Sequence, residues 1–144
     1  MTEKQAIYLD YNATVPIRPE VIKVMVEVME EGGNPSSIHG IGRKAKSRME
    51  DARSTIASII NCRPQMIVFT SGGTEANNMA ILSSGRSRMI TTNVEHDSIR
   101  SVSSRFDGTV DILSVDQDGI IDLGELRQLL KIDGENTVVS ILYA

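Results

Sequence analysis

Four short β-rich runs, at 66–70 (MIVFT), 88–93 (RMITTN), 109–115 (TVDILSV) and 137–143 (TVVSILY), are separated by helical patterns around 75–83, 98–105 and 122–130. Strands that alternate with helices at this spacing are joined by right-handed crossovers and build an α/β fold, a mainly parallel or mixed sheet covered by helices. The last run, Val138 to Ala144, reads as a fully buried strand, and the sequence stops there. Open α/β sheets usually carry their chemistry in loops beyond the carboxyl ends of strands. A buried terminal strand with no such loop leads us to expect a piece of something longer.

Upstream of the alternation lie two amphipathic helices. From Pro19 to Glu31 the apolar positions Val21, Ile22, Met25, Val28 and Met29 recur at helical spacing, with Pro19 suited to a first turn and Gly32-Gly33 to a stop. Ala45, Met49, Ala52, Ile56, Ile59 and Ile60 mark a second and longer stripe. A length of 144 residues fits about one domain, and 40% hydrophobic residues suffice for a core. With 3% aromatics and no Trp, aliphatic residues and seven Met must fill that core. The net charge of −4, with scattered Lys and Arg, argues against a nucleic-acid surface. Cys62 is alone, so no intrachain disulfide forms and no Cys cluster holds a metal, which fits a reducing, cytoplasmic setting. The N-terminus lacks an apolar signal core, and no run reaches the ~18 apolar residues of a membrane span.

The stretch FTSGGTEANN, 69–78, places Gly72, Gly73 and Thr74 where a strand hands over to a helix beginning near Glu75. Free N–H groups at a helix start, the positive end of its dipole, close-approach glycines and a hydroxyl together make a cradle for phosphate. The plain alternative is a strand-to-helix turn in which Ser71 or Thr74 caps the helix. His96, in NVEHDSIR, emerges at the same carboxyl edge of the sheet, either as a capping or surface residue or as an acid–base or stacking group. His39, in NPSSIHG, is accounted for by loop polarity. Ser114 to Glu125 imitates a calcium-binding EF-hand loop, but Ser stands at its first position and TVDIL alternates like a strand. The competing reading makes DQDG a turn, and Asp122 with Glu125 a cap for the helix carrying Leu126, Leu129 and Leu130. Cys62 reads as a helix-end cysteine without a chemical role, and Asp10, Asn12 and Thr14 as turn formers.

In this order and spacing, YLDYNAT, GGNPSSIHGIGRKA, FTSGGTEANN and EHDSI resemble the N-terminal part of a cysteine desulfurase of the NifS/IscS type. These are pyridoxal-phosphate (PLP) enzymes of fold type I, in the class V aminotransferase group. The resemblance implies an incomplete three-layer αβα large domain over residues 17–144, preceded by an arm over 1–16. It also implies a homodimer that converts L-cysteine to alanine and passes sulfur, as persulfide, to acceptors such as an iron–sulfur scaffold. By motif, Gly73 and Thr74 contact the cofactor phosphate, while His96 stacks on the PLP ring and assists proton transfers. The segment around Asn34 and His39 lies near the active-site and dimer regions.

The departures from the family pattern bear on activity. The NNETG-like segment, the Asp that pairs with the pyridinium nitrogen, the Schiff-base Lys, the persulfide Cys and the Arg that holds the substrate carboxylate have no counterpart among these residues. The lysines, at positions 4, 23, 44, 46 and 131, do not match the Schiff-base motif. The chain alone is therefore expected to be inactive. The alternative is a non-catalytic, phosphate- or PLP-binding assembly partner of a full-length relative.

Overall fold

The computed structural model describes residues 7–143. Lys4, the start of the expected arm and Ala144 lie outside that range. The chain divides into two compact units, one running through Ile67 and the other from Val68.

In the first unit Asp10 makes the turn expected of it, its carbonyl accepting from the N–H groups of Ala13 and Thr14 at 3.2 and 3.4 Å. Helix α1 spans Pro19–Glu31, with the proline in its first turn and Gly32 at its C-cap at φ 59°. Gly33 follows at φ 108°, so two successive positive-φ residues end the helix where the sequence pattern stops. The apolar stripe of α1 is left between 41% and 71% exposed by the described residues. Helix α2 spans Gly40–Ile59 and is the longest element. It begins where Gly42 passes the preceding loop so closely that a Cβ there would lie 2.6 Å from Ser37 Cβ and 2.7 Å from the Asn34 carbonyl oxygen. Its far end is a Schellman turn. Asn61 adopts φ 54°, the Cys62 N–H donates to the Ala57 carbonyl at 2.9 Å, and the Asn61 N–H donates to that of Ser58 at 3.3 Å. Cys62 is thus a helix-stop residue, as its sequence context implies. The end of α1 is tied to α2 by Glu31, which accepts from Arg48 through both carboxylate oxygens and pairs with Lys44 Nζ at 3.1 Å.

The second unit is the α/β part. Helix α3 (Gly73–Leu82) precedes strand β1 (Arg88–Thr92), followed by α4 (Asp97–Ser103), β2 (Thr109–Leu113), α5 (Leu123–Asp133) and β3 (Thr137–Val139). The three strands are all parallel, in the order β2-β1-β3, with Met89 opposite both Val110 and Val138. Every residue of β1 is buried. Met89 packs with Ile81 of α3 and Ile99 and Val102 of α4, and Phe106, Val110 and Val138 close that cluster. Arg88 points to the opposite face, since successive strand residues alternate. Its Nε donates to Asp111 Oδ2 at 2.6 Å and its Nη1 to the Leu129 carbonyl of α5 at 2.6 Å. Helices therefore lie on both faces of the sheet.

Two sequence expectations fail here. The 66–70 run is not a strand: Pro64–Met66 forms a 3-10 turn and 67–70 run on outside the sheet. Strand propensity is realised only against a partner edge, and the 67–70 segment does not pair with the open edge of β2 or of β3. The 137–143 run is neither fully buried nor central. Only Thr137–Val139 pair, at the edge of the sheet, and Ser140 adds one further bond to the Ile90 carbonyl at 2.9 Å. With a neighbour on one side only, the apolar residues Ile141 and Leu142 stay partly exposed.

Three outcomes follow from these contacts. Asp111→Ala leaves the Arg88 guanidinium buried without its carboxylate and should cost about 3 kcal/mol in a denaturant titration. Gly42→Ala should cost about 1–3 kcal/mol, because backbone must move to admit the methyl group. The hydrogen bonds from Arg48 and then Lys44 hold the Glu31 carboxyl below the ordinary glutamate range. The stabilisation that follows is complete above that range and is lost as pH falls through the lowered value. Arg48→Met removes the larger of these two causes and should move the Glu31 titration, followed by carboxyl NMR, back up toward the ordinary glutamate range.

Candidate functional site

The glycine-rich turn opens α3 without a side-chain cap. Gly72 is the N-cap residue, with extended backbone, and neither Ser71 nor Thr74 caps the helix as the plain turn reading expected. Ser71 instead donates through both its N–H and its hydroxyl to Glu75 Oε2, each at 2.6 Å. Those two bonds, the hydroxyl's first, hold the Glu75 carboxyl below its ordinary range. Among the described residues no side chain accepts from the N–H groups of Gly73, Thr74 or Glu75, and the Thr74 hydroxyl is likewise unspent. These are the orphan donors of a helix start, at the positive end of its dipole. A Cβ on Gly72 or Gly73 would meet no atom within 4 Å. The described residues do not fill the space beside Gly72 and Gly73, and the missing side chains keep the approach to these N–H groups open. The donor set and its open face fit a phosphate group.

His96 stands at the N-cap of α4, immediately beyond β1. Its Nδ1 accepts from the Ser98 N–H at 3.1 Å and lies 2.9 Å from Ser98 Oγ. Asn77 Nδ2 in turn donates to Ser98 Oγ at 2.9 Å. Asn77 is one helical turn beyond Gly73, so the start of α4 is fastened to the face of α3 on which the cradle begins. The capping role weighed for His96 is real and occupies only Nδ1. The ring is exposed, and no described residue engages Nε2.

Glu95, which motif reading passed over, braces the segment that carries His96. It is buried, and its Oε1 accepts from the Thr92 hydroxyl at 2.9 Å and from the Leu142 N–H at 2.7 Å. It thereby fixes the segment before His96 to both the end of β1 and the continuation of β3. A charged residue between Val94 and His96 carries no periodic signal that would betray this burial.

The remaining candidates fall elsewhere. His39 caps α2 through Nδ1, accepting from the Gly42 N–H at 3.4 Å, and Asn34 Oδ1 accepts from the Ser36 N–H at 2.9 Å. Both belong to the first unit. In the EF-hand-like stretch, Asp116 Oδ1 accepts from the N–H groups of Asp118 and Ile120, both at 2.9 Å, and Asp122 caps α5. Those carboxylates are spent on a turn and a cap, and β2 stands where an EF-hand needs a helix. Among the described residues there is no His, Cys, Asp and Glu group able to hold a metal, and no helix long and apolar enough to cross a membrane.

Residues 7–144 match the Aminotransferase class-V family. The chain is 39% identical, over 151 residues, to the cysteine desulfurase IscS of Dictyoglomus turgidum, covering 98% of this chain and 38% of that protein. It is 43% identical over 122 residues to the selenocysteine lyase of Bos taurus, covering 68% of this chain and 28% of that one. Its fold matches a NifS-like protein with a TM-score of 0.79 at 31% identity, covering 95% of this chain and 40% of the other. A NifS-like protein from Rickettsia africae matches with a TM-score of 0.77 at 34% identity, covering 95% and 39%. The chain thus spans about two-fifths or less of the length of these relatives. The parallel sheet between helices is an incomplete αβα domain of PLP fold type I. With the motifs, the topology and the relatives in agreement, the chain belongs to the class V aminotransferase family of PLP-dependent proteins, among homologues of the IscS/NifS cysteine desulfurases.

Proposed function

We propose that these residues are the N-terminal part of a PLP-dependent cysteine desulfurase and that they supply its phosphate grip, at Gly73 and Thr74, and its ring-facing histidine, His96. The observation that carries this reading is the uncapped start of α3, whose unspent donors sit beside a glycine face open to a guest. In this reading residues 17–144 are part of the cofactor-binding large domain and 1–16 an arm. L-Cysteine is the substrate, and an iron–sulfur scaffold or thiolation protein accepts the sulfur.

PLP, when bound, supplies an electron sink for bonds broken at the substrate's α-carbon. The chain's own part is to hold and orient. The first-turn N–H groups of α3 and the Thr74 hydroxyl would hold phosphate oxygens, and His96 would offer its ring face for stacking and Nε2 for proton transfer. A covalent anchor is a different matter. Within the second unit the sequence has one lysine, Lys131. It lies near the end of α5, two residues past Leu129, whose carbonyl meets Arg88 at the start of β1. That is the amino edge of the sheet, whereas the cradle residue His96 follows the carboxyl end of β1. In this reading a polypeptide of these 144 residues grips the cofactor phosphate without turning over cysteine, since none of its lysines matches the Schiff-base motif.

Adding PLP to the 144-residue chain should shift the amide NMR signals of Gly73, Thr74 and Glu75, and Thr74→Val should weaken that binding by about tenfold, the loss of one charge-assisted hydrogen bond. No alanine should form from cysteine. Signals at 73–75 that ignore PLP would overturn the assignment of the cradle.

A further inference from the structure

We infer that Asn77 and Ser98 are positioning residues that hold the neutral His96 ring as its Nε2–H tautomer, leaving the protonated nitrogen on the free side. The inference rests on the proposed role of His96 and deepens it. A backbone N–H can only donate, so the Ser98 N–H at 3.1 Å makes Nδ1 an acceptor and puts the ring proton on Nε2. The second bond has the same polarity. Asn77 Nδ2 occupies a lone pair of Ser98 Oγ at 2.9 Å, and that hydroxyl then gives its own proton to His96 Nδ1 at 2.9 Å.

The arrangement exceeds what a helix cap requires. Capping α4 needs only the Ser98 N–H on Nδ1, whereas the hydroxyl also reaches that nitrogen, and the Asn77 amide engages that hydroxyl, without adding to the cap. Ser98 is 5% exposed and Asn77 half-buried, so neither bond is readily exchanged for water. Asn77 also belongs to the helix that opens with the cradle. A residue of the cradle's own helix thus reinforces, through the Ser98 hydroxyl, the placing of the His96 proton on Nε2. A group that donates a proton or a hydrogen bond on the ligand side needs that proton on the outward nitrogen.

The test is the imidazole nitrogen-15 spectrum of His96 in the 144-residue chain without cofactor. Wild type should show Nε2 protonated and Nδ1 as an acceptor. Ser98→Ala should raise the Nδ1–H population about two- to tenfold, the ratio expected for one lost hydrogen bond, and Ser98→Thr should restore it. Asn77→Asp keeps the size of the side chain but accepts the Ser98 hydroxyl proton, so it should shift the tautomer in the same direction as Ser98→Ala. A wild-type ring protonated on Nδ1 overturns the inference, as does an unchanged tautomer in folded Asn77→Asp. The wild-type spectrum decides even where a variant fails to fold. An Nε2–H ring in a chain whose residues 73–75 ignore PLP supports the positioning network and sinks only the cofactor reading.

Discussion

A buried strand must find a partner for each of its backbone donors and acceptors, and β1 finds them in parallel neighbours on both sides. All five of its residues are buried, so it can exist only with helices on both faces as well. Met89 anchors one face to α3 and α4, and Arg88 the other to α5. The arginine is an unusual tenant for a core strand. It is tolerated because Asp111 and the Leu129 carbonyl together replace the water it loses. What β1 holds in place is the carboxyl edge of the sheet, where the cradle helix and His96 meet.

At that edge, polar groups that look like surplus turn chemistry are spent with care. Glu75 takes both donors of Ser71, and α3 is left with its first N–H groups unclaimed. Glu95 is buried to hold the loop, His96 caps α4 with one nitrogen, and Ser98 and Asn77 assign the ring its polarity. A turn optimised for helix stability alone would put a Ser, Thr, Asp or Asn side chain on the α3 donors. Their neglect leaves the first-turn N–H groups of α3 unclaimed, as the proposed phosphate grip requires.

Much of this was legible from residue order. Both upstream helices, with the Pro19 start and the Gly32-Gly33 stop, follow from apolar spacing and turn chemistry, as do the alternation after residue 73 and the turn and cap at Asp116 and Asp122. The errors concern strands. MIVFT and TVVSILY have the composition of buried strands, but whether a run joins a sheet, and at which position, is decided by tertiary pairing and not by composition. Glu95 escaped for a related reason: its burial is created by Thr92 and by Leu142, 47 positions away.

The sequence by itself determined the family motifs, the α/β alternation after residue 73 and the local turns and caps, because turn and cap chemistry acts over three or four neighbours, and it was the motifs that singled out Gly73, Thr74 and His96 as candidates. Only the tertiary structure decided that α3 begins uncapped, that β3 lies at an edge and that Asn77 reaches Ser98. Each of these depends on which distant groups compete for the same hydrogen bond, and that competition is settled when the sheet brings the helices together.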